Sequence, residues 1–335
     1  QGVIALDVIG MPSVSDAASG KIVQDADWTW GAYSHGDRGL KIPGYQVATD
    51  AAPQLRLAAF SKPYLDTTGF PDGWKGMLLP QEMVEQWVGH AYDNGIQLFD
   101  YSNGDASIDL SLAAIEKAIA ASGKADDRRT VIAHSYFVRP DQLATYRQHD
   151  IGVSMMPPHM MVYGDLLMKE LGPERATMES PLASAIAAGL RSTIHCDCPS
   201  ASPSMMEAVW TAVTRTTMSG QVLGPEERVS PYAALLGATR NVAYTYREEA
   251  TKGTITAGKI ADLRARYQEG ADLIKITATG GVLSQQGRGL DQHFTDDEMR
   301  AIVTTAHSLG LKVAAHAHGP RGIEAAARAG VDSVE

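Results

Sequence analysis

Short apolar runs alternate with amphipathic stretches along most of the chain. The runs 44–48, 96–99, 130–133, 151–155, 191–195, 271–277 and 311–315 read as strands, and 331–334 opens another. Their apolar residues are mostly consecutive, the pattern of strands covered on both faces. Helical spacing holds over 81–94 (Met83, Trp87, Ala91), 107–121, 140–149, 181–188, 203–219, 231–246, 263–269 and 323–329. Several of these stretches stop at a glycine suited to the left-handed turn that ends a helix, as at Gly95, Gly123, Gly189 and Gly270. Ser202 before Pro203 and Ser230 before Pro231 are expected helix caps. Thr295-Asp296-Asp297-Glu298 is an expected capping box, opening a helix that ends at Gly310. Residues 20–39 and 53–74 read as loops, and 251–260 as a glycine-punctuated turn with a short strand. Segment 154–165, rich in Met and Pro, reads as a loop that walls a substrate pocket or fills a core edge. The alternation predicts parallel βα units: a (β/α) barrel first, a doubly wound sheet second.

The 335 residues suffice for one barrel of about 250 residues with additions, or for two domains. Subtracting 39 acidic from 29 basic residues gives a net charge of −10. Such a chain has no overall field to attract a phosphate backbone, so nucleic acid and membrane surfaces are not expected partners. No apolar run approaches the roughly 20 residues of a membrane span. The start, Gln1-Gly2-Val3-Ile4-Ala5, has no basic leader, so no signal peptide is expected and the cytoplasm is the expected location. Two cysteines at i and i+2, Cys196 and Cys198, rule out a disulfide scaffold.

Functional residues of parallel α/β folds gather at the carboxyl ends of strands. Asp100 and Tyr101, His134, His195 and Asp197, and His316 and His318 all fall there, and Lys275 lies inside the run 271–277. His316 and His318, two apart on a strand, point to one face and can grip one divalent metal; the competing reading is a strand-end hydrogen bonder. Lys275, flanked by isoleucines, must pair, lose its proton or be modified, for example by carbamylation, or else reach water from the strand rim. His134 reads as a ligand or a capped core histidine. Asp197 reads as a metal ligand and proton acceptor, or as a cap for the next helix. Together these residue types make up the ligand set of a hydrolase using one or two metals.

On these residues the chain resembles the amidohydrolase superfamily of metal-dependent barrel hydrolases, and it does so twice. Residues 1–262 resemble the later part of an amidohydrolase of the N-substituted formamide deformylase type. That likeness rests on Phe60-Ser61-Lys62-Pro63-Tyr64, Asn103-Gly104-Asp105-Ala106, His134-Ser135, Leu171-Gly172-Pro173-Glu174-Arg175 and His195-Cys196-Asp197. The stretch from Lys252 to Asp262 resembles the return into a small β-domain. Residues 263–335 resemble the middle of an imidazolonepropionase-like or prolidase-like amidohydrolase through Asp272-Leu273-Ile274-Lys275-Ile276, Thr279-Gly280-Gly281-Val282 and Ala315-His316-Ala317-His318-Gly319.

The resemblance implies a TIM-barrel-like fold, incomplete, permuted or joined from two partial barrels. It implies one or two divalent ions, zinc first, held by His134, Asp197, His316 and a carbamylated Lys275. Asp197 would be the catalytic base, and His318 and Tyr101 would lie near substrate. The implied reaction is cleavage of an amide or other C–N bond in a small molecule by metal-activated water; a homo-oligomer is a further expectation. The sequence also departs from the pattern. Gln46 stands where the first subfamily often has lysine, and Tyr101 where it has the fifth-strand histidine. The strand-one His-x-His would precede Gln1, and fourth- and fifth-strand elements occur twice. These departures motivate an alternative: a metal-free pseudoenzyme or scaffold that retains the fold.

Overall fold

A computed structural model describes residues 7–25, 30–35, 38–123, 127–254, 273–279 and 292–334. It divides into two compact units, Asp7–Tyr246 and the chain from Arg247 on. In the first unit β1 (Val8–Ile9), β3 (Tyr33–His35) and β4 (Arg38–Lys41) make a small sheet in the order β1-β4-β3. The main sheet has six strands: β2 (Ser13–Val14), β5 (Gly44–Ala48), β6 (Gln97–Ser102), β7 (Val131–His134), β8 (Gly152–Met155) and β9 (Ser192–Ile194). They lie side by side in chain order, and every pair is parallel. This is the α/β architecture expected of consecutive βα units, an arc whose described strands do not close a barrel.

The register gives each face of the arc its composition. Val47, Leu98, Ile132, Val153 and Ile194 point to one side. There they pack with Val84 and Val88 of α2 (Gln81–Asn94), Ile108, Leu112 and Ile115 of α3 (Asp105–Ser122), and Leu143 and Tyr146 of α4 (Pro140–Gln148). Gln46, Tyr101, Ser154 and His195 lie toward the other side and are only partly buried. The polar face of the arc is therefore the one without the helices.

Local signals set several boundaries where the sequence predicts them. Strand β5 spans 44–48, and α2 ends at Gly95, whose φ of +67° suits glycine. Helix α3 ends at Gly123 in the same way. Elsewhere the structure corrects the sequence reading. Part of the expected loop 20–39 is helix Ala17–Asp25, and another part is β3 and β4. Gly20 looks like a loop signal but is a packing contact: a Cβ there would sit 2.1 Å from Cζ2 of Trp87. Gly20→Ala is expected to cost about 1–3 kcal/mol by overpacking, read as a lower urea midpoint at unchanged slope. An unchanged midpoint would refute this contact. The expected loop 154–165 is largely helix Pro157–Leu171, with Pro157 and Pro158 in its first turn and Met156 and Met160 buried. The helix expected over 203–219 is shorter, Met205–Thr214, and its cap is Ser204, not Ser202; the Ser204 hydroxyl accepts from Glu207 N. Ser230 caps Pro231–Ala238 as expected, and a second helix, Arg240–Thr245, follows.

In the second unit β10 (Leu273–Thr277), β11 (Lys312–His316) and β12 (Ser333–Val334) form a parallel sheet in that order. Helices Asp296–Ser308 and Pro320–Ala329 pack on one face, against Ile274, Ile276, Val313 and Ala315. Strand β10 alternates exposed and buried residues, so the expectation of cover on both faces fails here. The expected capping box is present: Thr295 N donates to Glu298 Oε2 at 2.8 Å, and the Thr295 hydroxyl accepts from Glu298 N. The expected helix 263–269 lies outside the described residues, as do Gly280-Gly281 and most of the turn 251–260. No helix among the described residues is long and apolar enough to cross a membrane.

Candidate functional site

The carboxyl ends of β6, β7 and β9 bring Tyr101, His134 and His195 together. Register alone would send His134 to the helix-packed face, because it pairs with Ser102. The backbone prevents this. His134 has φ +68° and Ser135 φ +45°, left-handed values that are costly for residues with a Cβ. The turn carries the imidazole to the other side. Its ring centroid lies 4.3 Å from that of Tyr101 and 4.9 Å from that of His195, edge-on to both. His134 Nδ1 meets Tyr136 Oη at 2.9 Å, and His195 Nδ1 meets Ser154 Oγ at 2.9 Å. Burial, with the other histidine's charge adding to it, holds His134 well below its ordinary range. Burial likewise draws His195 down to about 4, with a smaller push from His159. Both rings are therefore neutral near pH 7 and offer lone pairs. Burial raises the Tyr101 phenol, so it stays protonated.

A buried layer supports these rings. Tyr136 stacks on His159 with centroids 4.3 Å apart, and His159 Nδ1 lies 2.5 Å from Glu179 Oε1. His159 Nε2 meets Gln54 Oε1 at 2.8 Å. Glu179 sits in a turn clamped by Arg215, a fully enclosed guanidinium bonded to the carbonyls of Thr177, Glu179, Ser180 and Leu223. None of His159, Glu179, Tyr136 or Arg215 stands out in the sequence. His159 lies in the Met/Pro segment read as a loop, and the others carry no local signal.

Two further carboxyls are buried behind the strand ends. Asp50 accepts from Ala59 N, Asn103 N and Nδ2, Gly104 N and Ser107 Oγ, yet burial still raises it to about 6. Asp100 accepts from Ser102 and Ser111, and burial raises it to about 7. A carboxyl raised in the folded state holds its proton where the unfolded chain has released it. Its stabilising contribution is therefore full at acid pH and is lost as pH rises from about 4 to 7. For Asp100 the swing is on the order of 4 kcal/mol. Asp100→Asn is expected to match the native protein at pH 5 and to exceed it by about 3 kcal/mol at pH 8, measured by urea unfolding at both pH values. A variant weaker at both pH values would contradict the assignment.

Asp197 follows β9 with φ +48°, and its carbonyl accepts from Ser200 N. Its side chain is exposed at the rim, with the carboxyl raised by partial burial. The nearest helix starts at Met205 under its own cap, so Asp197 does not cap it. Cys196 and Cys198 are free thiols. In the second unit Lys275 pairs in register with Ala314, two residues before His316. Lys275 and His316 thus share the sheet face opposite the helices, and the Lys275 side chain is exposed. The rings of His316 and His318 lie 4.7 Å apart, and Thr279 Oγ1 accepts from His318 N at 2.8 Å. Among the described residues no three His, Cys, Asp or Glu side chains converge tightly enough to hold an ion. Each unit by itself brings two imidazoles together, fewer than the three protein ligands of a catalytic zinc.

A parallel α/β arc with polar residues at its carboxyl ends is the arrangement in which such folds place their functional sites. Two separate profiles of the amidohydrolase family match the chain, one over residues 4–279 and one over residues 263–335. The chain belongs to the amidohydrolase family. It is 28% identical over 225 residues to Protein LONG AFTER FAR-RED 3 of Arabidopsis thaliana, covering 67% of this chain and 38% of that protein. It is 32% identical over 174 residues to N-substituted formamide deformylase of Arthrobacter pascens, covering 50% and 31%. An uncharacterized metal-dependent hydrolase from Pyrococcus horikoshii superposes with a TM-score of 0.60 at 20% identity, over 74% of this chain and 47% of that one. The chain thus spans only about a third of the length of these two curated relatives.

Proposed function

We propose that the chain carries a hydrolase site for an amide-type carbon–nitrogen bond at the carboxyl ends of β6, β7 and β9. The observation that carries this reading is the left-handed turn at His134. It stores backbone strain to aim an imidazole at His195 and Tyr101, and such strain collects at functional sites. Family membership and the likeness to a formamide deformylase support the bond class. In this reading Asp197, raised by partial burial, takes the proton of the attacking water and returns it to the leaving nitrogen. Tyr101 lines the substrate position and, its phenol kept protonated by burial, offers a hydrogen bond from its hydroxyl. His318 holds the equivalent place near substrate in the second unit. A divalent ion, zinc first, is the cofactor the family leads us to propose, with His134 and Asp197 as candidate ligands in the first unit and His316 and a carbamylated Lys275 as candidate ligands in the second. The donors gathered within either unit are too few for a closed set, so no step here runs through the ion.

The test is elemental analysis of protein purified without chelator, alongside amine release from a panel of N-formyl and N-acyl amides. About one equivalent of a divalent transition metal with amine release is the expected result. Less than about a tenth of an equivalent would overturn the metal assignment. One observation favours the scaffold alternative: the Tyr101 ring packs 4.3 Å from His134, where the resemblance calls for a histidine. Added zinc that raises the melting temperature of the native protein but not of His134→Asn would rule the scaffold out.

A further inference from the structure

At the other end of the sheet, below the starts of β7, β8 and β9, lies a cavity of about 460 Å³. It is lined by three arginines, Arg129, Arg147 and Arg191, with Asp150 as the one carboxylate among the described lining residues. The lining thus carries +3 against −1, a local reversal of sign in a chain of net charge −10.

The cations are held in place. Tyr244 stacks against two of them: the Arg129 guanidinium carbon lies 3.9 Å from the ring centroid and that of Arg191 lies 4.0 Å from it. Arg129 also donates to the Tyr244 carbonyl and to Asp127, and its side chain is only 10% exposed. Arg191 and Arg147 differ from Arg129. Beyond the Tyr244 ring, the Arg191 guanidinium faces Asp150 at 3.8 Å, too long for a hydrogen bond. The Arg147 side chain lies against Gly189, and its guanidinium bonds to no side chain among the described residues. Two guanidinium groups, each with five donors in a planar fork, therefore border one cavity with those donors open. Stacking lowers the entropy lost when an anion docks on such a fork.

We propose that this cavity binds a small organic polyanion, whose phosphate or carboxylate oxygens engage Arg147 and Arg191. The volume lies in the range of small-molecule sites and far exceeds a single inorganic oxyanion. Phosphate and carboxylate share the bidentate geometry that guanidinium matches, so the fold defines the ligand's charge and fork, and the experiment separates the two sources.

The experiment is calorimetric titration of the full chain with pyrophosphate and, separately, with citrate, at constant ionic strength to fix screening. Saturation with a dissociation constant below about 1 mM is expected for at least one probe, and the tighter one names the source. Arg147→Ala and Arg191→Ala are each expected to weaken binding by about tenfold or more. Both side chains are exposed, so both variants are expected to melt like the native protein. Lack of saturation by about 10 mM with both probes overturns the proposal, and so does unchanged affinity in both variants.

Discussion

Arg215→Met is expected to lower the melting temperature by roughly 10 °C, the largest stability effect of any single substitution argued from this fold. The side chain is fully enclosed, and its guanidinium spans four backbone carbonyls: those of Leu223 at 2.6 Å, Glu179 at 2.7 Å, Ser180 at 3.0 Å and Thr177 at 3.1 Å. Methionine matches much of the volume, so the cavity term is small. The loss comes from four acceptors left dry, and breaking a buried polar cluster from one side costs about 3–5 kcal/mol. Arg215→Lys is expected to recover little, because one ammonium cannot reach four carbonyls that a planar fork spans. The effect also reaches the site. Ser180, with φ +51°, donates its N–H to the Tyr136 carbonyl at 2.7 Å, and Glu179 beside it holds His159 under the Tyr136 ring. Thermal and urea unfolding read this out, and a melting temperature within 2 °C of the native value would show the clamp to be dispensable.

If the proposed site hydrolyses an amide, His134→Asn is expected to lower that activity by about 1000-fold while leaving the fold intact. Asparagine tolerates the left-handed conformation that His134 occupies, so the substitution spares the backbone and removes the imidazole. His134→Ala removes the same ring but places a less suited residue at φ +68°, and should cost more stability for the same loss of activity. The pair separates chemistry from folding: equal activity losses with unequal melting temperatures are expected. Activity of His134→Asn within tenfold of native would remove His134 from the proposed chemistry, whatever the stability result.

Local signals proved legible in the sequence, and long-range ones did not. Strand β5, the end of α2 at Gly95 and the Thr295 capping box rest on residues within a few positions of one another. The helix Ala17–Asp25 was hidden because Gly20 is there for Trp87, 67 positions away. Helix Pro157–Leu171 was hidden because two prolines in a first turn look like a break. For the site, His134 and Tyr101 were picked out by their place at strand ends, and the structure sets them ring against ring. The turn that aims His134 has no sequence marker, since neither His134 nor Ser135 is a glycine. His195 was picked out at a strand end in the same way, and the register explains its direction: it follows Ile194, which faces the helices, and so turns the other way. Glu179 and Arg215 read as ordinary surface charges in the sequence, and only tertiary packing encloses them.

Asp50 has a consequence for anyone reshaping this fold. Its two oxygens gather donors from the segment after β5 (Ala59 N) and from the turn into α3 (Asn103 N and Nδ2, Gly104 N, Ser107 Oγ). Gly104 is pinned from the same side, since a Cβ there would lie 1.9 Å from the Ala59 carbonyl oxygen. The segment and the turn are therefore one removable part. A transplanted loop from a relative would need to bring its own turn into α3, or the recipient would keep an acid with no donors to answer it.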